Sequence, residues 1–269
     1  MGIELLLFAL DPSLVEPAEA AGIDGFVIDW EWRGKDERQS GKRTQINRQG
    51  PEDLKRLRDL TRRPILCRLN AWGAGAADEL ECALELGADE LLLPMAREPE
   101  EVMAFLEAVA GRCRAGILVE RAEAVAQARE LARLPLRRVY VGLNDLAISR
   151  DTDLFRPLRD GTLEALAQAF RDVPFGFGGL THPLAGEPIP SRLLLMELRR
   201  LACSFTFLRR SFMTDQARFG MEPTVRAIRE AWAEAASASC VREARTELLD
   251  RVANHPVSIA CGEPHAPIR

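Results

Sequence analysis

Eight short apolar runs of β-like composition, separated by stretches of helical periodicity, constrain this chain more than any single motif does. The runs are Glu4–Ala9, Gly25–Asp29, Pro64–Arg68, Glu90–Pro94, Gly116–Glu120, Arg138–Gly142, Pro174–Gly178 and Ser204–Arg209. Between them, Pro51–Leu60, Ala76–Leu86, Pro99–Ala110, Ala122–Leu134 and Gly161–Arg171 carry apolar residues three and four apart with charges between, the pattern of amphipathic crossover helices. Strands alternating with helices of this length predict a parallel α/β architecture, and eight units predict a closed (β/α)8 TIM barrel. An open doubly wound sheet normally carries a glycine-rich phosphate turn after its first strand, whereas Ala9–Leu14 contains no glycine. After the eighth run, Pro223–Ala236 and Val241–Val252 predict extra C-terminal helices, followed by a Pro-bearing tail from Asn254. The expected organisation is one domain over residues 1–269, with 222–269 as a helical extension and tail.

The 269 residues are 47% hydrophobic, enough for one large core. A net charge of −5 without a domain-scale basic stripe excludes a nucleic-acid partner, and the Arg56, Arg58, Arg62 and Arg63 group predicts a solvated helix end. No run approaches about 18 uninterrupted apolar residues, and the N-terminus lacks a secretory pattern, so a cytoplasmic protein with no membrane partner is expected. The six cysteines, Cys67, Cys82, Cys113, Cys203, Cys240 and Cys261, have no metal or redox spacing, and three histidines exclude a His-rich metal site.

In a barrel of this kind the working residues follow the carboxyl ends of the strands. Those positions hold Asp29 and Glu31, Arg68 and Asn70, Pro94, Glu120, Asn144 and Asp145, Gly178 to Thr181, and Arg209 to Ser211. Glu120 ends the run Ala-Gly-Ile-Leu-Val (115–119), and Asp145 follows Val-Tyr-Val-Gly-Leu-Asn (139–144). On successive parallel strands, about 5 Å apart, the two carboxylates would repel unless a cation bridged them. Mg2+ suits this pair, because it takes one or two protein carboxylates and leaves its other positions to water and substrate oxygens. Asp29 and Glu31, two apart, point to one side if the strand continues through both, where either supports the metal or orients Arg68.

Arg68 offers a permanently charged guanidinium with fixed donors, suited to an oxyanion, and a salt bridge to Glu31 is its structural alternative. His182 follows the glycine-rich stretch Gly176-Phe-Gly178-Gly179-Leu-Thr181-His182 at the same end of the barrel and is the histidine available for proton transfer. The glycines of Phe175–Gly179 read as relief of crowding rather than as a phosphate loop. Arg209 and Arg210 are candidates for a second carboxylate or a phosphate, with one of the two pointing outward by strand alternation. His255 and His265 lie in the tail.

Val-Ile-Asp29-Trp-Glu31, Cys-Arg68-Leu-Asn70, Leu-Leu-Leu-Pro94-Met95-Ala, Val-Glu120-Arg-Ala-Glu-Ala-Val and Val-Gly142-Leu-Asn144-Asp145-Leu-Ala, in that order over roughly residues 20 to 150, resemble the HpcH/HpaI aldolase and citrate lyase family. The resemblance implies the phosphoenolpyruvate/pyruvate-type barrel. It also implies Glu120 and Asp145 as metal ligands and Arg68 at the oxygen of a 2-oxo acid or enolate. Asn70, Pro94, Asn144 and Arg209, at strand ends on the same face, are the residues expected around the substrate. The implied chemistry is a Mg2+- or Mn2+-dependent carbon–carbon lyase or aldolase that forms or consumes a pyruvate-type enolate. The implied partner is a small-molecule 2-oxo acid or related carboxylate, and the implied assembly is a homo-oligomer. Asp29-x-Glu31 is similar to the citrate-lyase branch, where an acyl-CoA thioester is the alternative substrate. Trp32 stands where the aldolase branch has a proton-transferring histidine, which keeps open a barrel that binds metal and oxo acid without turnover.

Overall fold

The computed structural model describes residues 2–9, 11–32, 49–235 and 238–254. Eight parallel strands, β1 Glu4–Phe8, β2 Gly25–Asp29, β3 Ile65–Arg68, β4 Glu90–Leu93, β5 Arg114–Val119, β6 Arg138–Val141, β7 Phe175–Phe177 and β8 Phe205–Phe207, pair in the order β7-β6-β5-β4-β3-β2-β1-β8. The ring closes between β7 and β8 through a bridge of Leu180 with Leu208, where the Leu180 amide donates to the Phe207 carbonyl at 3.1 Å. The two backbones are so close there that a Cβ on Gly176 would lie 2.4 Å from the Phe205 carbonyl oxygen. Gly176 therefore relieves crowding at the seam.

Around the wall run α1 Val15–Ala20, α2 Pro51–Leu60, α3 Ala76–Glu85, α4 Pro99–Val109, α5 Ala122–Ala126, α6 Ala128–Leu131, α7 Leu143–Ser149, α8 Thr162–Ala169, α9 Ser191–Arg200, α10 Ser211–Phe219, α11 Met221–Glu234 and α12 Ala238–Asn254. Each crossover helix starts and buries as its sequence dictates. In α2, Pro51 occupies the first turn, the Gly50 amide donates to the Asp53 carboxylate at 2.8 Å, and Leu54 and Leu57 face the wall. In α4, Pro99 again starts the helix, and Val102, Phe105 and Val109 are its buried stripe. The stretch 122–134, expected as one helix, is two short ones broken at Gln127. Helices α1, α7, α9 and α10 were not anticipated. His255, His265, Cys261 and the tail beyond Asn254 lie outside the described residues, as does Ala236.

Strand alternation divides the core in two. Side chains on one face, Leu6, Val27, Leu66, Leu92, Leu118, Tyr140, Phe205 and Phe207, pack inside the barrel as their own cluster. The other face meets the helices in a larger cluster that also takes in Trp232 of α11 and Leu248 and Val252 of α12. No helix among the described residues is long and apolar enough to cross a membrane.

Below the interior apolar layer, at the amino ends of β1, β4 and β6, sits an ion cluster. The Arg138 guanidinium, 1% exposed, donates to Glu90 at 2.5 and 3.0 Å and to Glu4 at 3.0 and 3.3 Å, with its carbon 4.6 Å from the centre of the Phe205 ring. Removing one partner strands the other charge in a low dielectric. Arg138→Ala is therefore expected to lower stability by roughly 3–5 kcal/mol in urea unfolding. Adding Glu90→Gln should recover part of that loss, and a loss as small as that of an exposed pair, under about 1 kcal/mol, would show that the cluster is not structural.

Candidate active site

The same alternation carries the inward columns up to the carboxyl end of the barrel. Two residues beyond Leu6, Val27, Leu66, Leu118 and Phe207 come Phe8, Asp29, Arg68, Glu120 and Arg209, and all five line one cavity of about 510 Å³. Asn144 and Asp145 enter from the first turn of α7, and Arg210 and Ser211 from the start of α10. Asp145 is thus on a helix and not at a strand end, because β6 leaves the sheet at Val141. Its carboxylate sits where the helix dipole favours negative charge.

Arg68 is clamped. Its Nε and Nη2 donate to the two oxygens of Asp29 at 2.9 and 2.8 Å, and its Nη1 lies 3.3 Å from Glu31 Oε2. Both acids are buried. The Glu31 amide donates to Asp29 Oδ1 at 3.2 Å, which ties the two acids to one turn of chain. Burial pulls the guanidinium's pKa down, but the charges of Asp29 and Glu31 and the Asp29 hydrogen bonds outweigh it and hold the pKa well above its ordinary value. A bidentate fork between a guanidinium and a carboxylate fixes direction as well as charge. Both the predicted mouth position and the predicted ion pair with Glu31 hold for this residue.

Glu120, 2% exposed, lies on the neighbouring wall. Its Oε2 accepts from the Met95 amide at 3.0 Å, and Met95 takes a left-handed φ of 57° to make that bond. A non-glycine residue held there implies local strain that the surroundings sustain. The other oxygen leans on Gly142, where a Cβ would lie 2.4 Å from Oε1. Burial first, then the charges of Glu31 and Asp145, push the Glu120 carboxyl up to about 8, while Arg68 and the Met95 hydrogen bond oppose the rise. Tyr140, beneath it, donates its hydroxyl to the Gly178 carbonyl, and burial raises its pKa, so it stays protonated.

Six predicted site residues, Asp29, Arg68, Glu120, Asn144, Asp145 and Arg209, come together at the cavity, and four do not line it. Glu31 does not line it but contacts Arg68, which does. Asn70 is a brace: its amide groups donate to Glu79 at 2.8 to 3.0 Å, and its Oδ1 accepts from the Trp32 amide at 3.1 Å. Pro94 precedes the Met95 turn. The His182 ring stacks on Phe219 with centroids 4.0 Å apart, and its Nδ1 accepts from the Leu184 amide at 3.2 Å. Burial lowers its pKa. Among the described residues no group of three or more acids, histidines or cysteines could hold a metal. Sequence reasoning missed Phe8 and Tyr140 in the lining, although extending the inward columns of β1 and β6 by two-residue steps would have found both. Glu187, from the loop after β7, carried no such signal.

The fold matches CitE from Mycobacterium tuberculosis in complex with magnesium and pyruvate at TM-score 0.60 and 17% identity, over 91% of this chain and 98% of that one. The same protein with magnesium, acetoacetate and coenzyme A matches at 0.61 and 19%, over 94% and 88%. An HpcH/HpaI aldolase from Desulfitobacterium hafniense matches at 0.58 and 14%, over 81% and 90%. The chain shares the fold of the HpcH/HpaI aldolase and citrate lyase proteins. No family model matches the sequence, and no curated protein matches it. In this barrel the resemblance of the five short motifs and the likeness of fold agree.

The raised pKa of Glu120 makes a sign-definite prediction for the metal-free protein. Between its ordinary value of 4.5 and about 8, the folded chain holds a proton that the unfolded chain has released. Stability therefore falls as pH rises through that window and levels above it. In chelator-containing buffer, Glu120→Gln is expected to flatten that slope in a series of melts. Parallel pH profiles for the two proteins would refute the assignment.

Proposed function

We propose that the protein is a divalent-metal-dependent carbon–carbon lyase or aldolase that forms or consumes a pyruvate-type enolate from a 2-oxo acid. The observation that carries this reading is the clamped Arg68 guanidinium in one cavity with the buried Glu120 and with Asp145. The donor set fits a hard cation. Glu120 and Asp145 supply oxygens from neighbouring parts of the wall, their mutual repulsion contributes to the raised Glu120 pKa, and among the described residues no histidine or cysteine lines the cavity to favour a softer metal. Glu120 and Asp145 would hold the ion, and magnesium or manganese bound there supplies Lewis-acid charge toward the substrate's keto and carboxylate oxygens. CitE, a protein of the same fold, has been solved with magnesium and pyruvate.

The chain's own residues supply the rest. Arg68 aims the donors not engaged by Asp29 at the keto oxygen, where negative charge grows as the carbon–carbon bond breaks. Asp29 and Glu31 hold that guanidinium in place before the substrate arrives, so no reorganisation is required at the moment of reaction. The Met95 amide and Gly142 fix the rotamer of Glu120. Leu7, Leu143, Leu154 and Phe207 give the cavity an apolar lining that lowers the local dielectric and strengthens these charges.

Incubating the protein with pyruvate and magnesium or manganese in heavy water is expected to exchange the methyl protons, followed by NMR. Chelator and Asp145→Ala should each abolish exchange while leaving the melting temperature within a few degrees. Arg68→Lys should slow exchange by about 10²-fold or more, the usual effect of losing an oxyanion donor. Absence of exchange in the unaltered protein would overturn the reading, and a fully active Arg68→Lys would overturn the role of Arg68.

A further inference from the structure

A second hollow, of about 610 Å³, opens between α9 and α12, lined by Arg199, Arg200, Arg242 and Arg245 with Ala235 and Val241 as its apolar wall. Helix α9 ends at Arg200, just before β8 begins at Phe205, so this hollow lies at the amino end of the barrel, opposite the mouth. Four guanidinium groups gather there on a chain whose net charge is −5. Two of them are neutralised. Glu197 Oε1 accepts from Arg200 and from Arg245 at 2.7 Å each, and Glu164 Oε1 accepts from Arg245 at 3.0 Å and from Arg200 as well. These two arginines and two acids form a closed quartet that joins α8, α9 and α12.

Arg199 and Arg242 have no carboxylate partner among the described residues. No acid stands three or four positions from either one in sequence, whereas Arg97, Arg226 and Arg251 elsewhere on the surface each pair with an acid at that spacing. The Arg199 guanidinium carbon lies 5.1 Å from the centre of the Trp232 ring. Stacking of this kind engages one face of the guanidinium and leaves its edge N–H groups to donate. Two positive charges are therefore left over in one hollow, and a dianion between them relieves their repulsion. The space exceeds what a bare inorganic anion fills and lies in the usual range for a small organic ligand.

We propose that this hollow is a second ligand site, separate from the mouth, for a small phosphorylated metabolite whose phosphate is held by Arg199 and Arg242 and whose carbon skeleton lies against Ala235 and Val241. A phosphomonoester suits it better than a carboxylate, because near pH 7 it carries about −1.5 to −2 charges and three strong acceptor oxygens, enough to serve two guanidinium edges at once. Arg200 and Arg245, spent on Glu164 and Glu197, tie α9 to α12 and so set the spacing of the two unpaired arginines. The inference does not depend on the oxo-acid reading of the mouth.

The test is calorimetric titration of ribose 5-phosphate, ribose and inorganic phosphate, in low-salt buffer with chelator, into the unaltered protein, Arg199→Gln, Arg242→Gln and Arg209→Gln. The expected result is one ribose 5-phosphate bound per chain, weakened by added salt, with inorganic phosphate bound less tightly and ribose not bound. Arg242 is exposed on α12, so Arg242→Gln leaves the fold intact and should weaken ribose 5-phosphate binding by about tenfold or more, the scale of a lost hydrogen bond to a charged group. Arg199→Gln should weaken it to a similar degree. Arg209→Gln alters only the mouth and should leave the affinity as it was. Ribose 5-phosphate that does not bind the unaltered protein, or that binds Arg242→Gln equally well, would overturn the site. Binding that is lost in Arg209→Gln would place the phosphate at the mouth and overturn it too.

Discussion

Closure of eight parallel strands into a ring gives every strand one face with nowhere to go but inward, and the two-residue alternation then sets what can stand on it. Here the inward columns form three levels. Glu4, Glu90 and Arg138 make a charged floor, Leu6, Val27, Leu66, Leu92, Leu118, Tyr140, Phe205 and Phe207 make an apolar middle, and Asp29, Arg68, Glu120 and Arg209 stand at the mouth. A one-residue slip in any strand would send its mouth residue out among the helices and an aliphatic side chain into the site. The chemistry at the mouth therefore depends on register, and register is held by the apolar middle, where each fully buried leucine contributes about 1.5–3 kcal/mol.

The mouth is unbalanced in a way that the floor is not. Arg68 neutralises Asp29 and sits near Glu31, which leaves Glu120 and Asp145 as a second acidic focus. The Glu120 carboxyl is driven up by burial and by its acidic neighbours more than Arg68 and the Met95 amide hold it down. Met95 in its left-handed turn and the bare Gly142 keep the carboxylate aimed despite that cost. Strain and repulsion concentrated on one side chain support the binding role proposed for Glu120, since nothing in packing requires them.

Much of this was legible in the sequence, for a physical reason. Gly25–Asp29 and Pro51–Leu60 have the bounds that were read from pattern alone, because an apolar run and an amphipathic stretch with Pro at its start declare themselves locally. Pro94, Glu120 and Gly142, read as the last residues of strands, lie just past them, since the chain there gives up sheet pairing to shape the mouth. Asp145 was placed at a strand end because Gly-Leu-Asn continues an apolar run, and nothing local tells that the helix has begun at Leu143. The stacking of His182 on Phe219 and the recess that Gly179 and Gly186 leave around Arg209 are made by residues distant in sequence. No window of the sequence contains them.

Floor and mouth use the same side chains for opposite ends, and hydrogen-bond saturation separates them. Arg138 has four bonds to two acids and a ring beneath it, so every ligand it could take is already covalently part of the chain. Such a cluster fixes geometry and offers nothing to a solute. Arg68 is held on one side by Asp29, leaving it oriented and incompletely used, and Arg209 keeps two donors without any acceptor among the described residues. Stability alone would favour replacing a partly buried cation of the last kind with an aliphatic side chain, because the desolvation of its two buried donors is not offset among the described residues. An anion from outside offsets it only when bound, and that difference between the two states is what a binding site is made from.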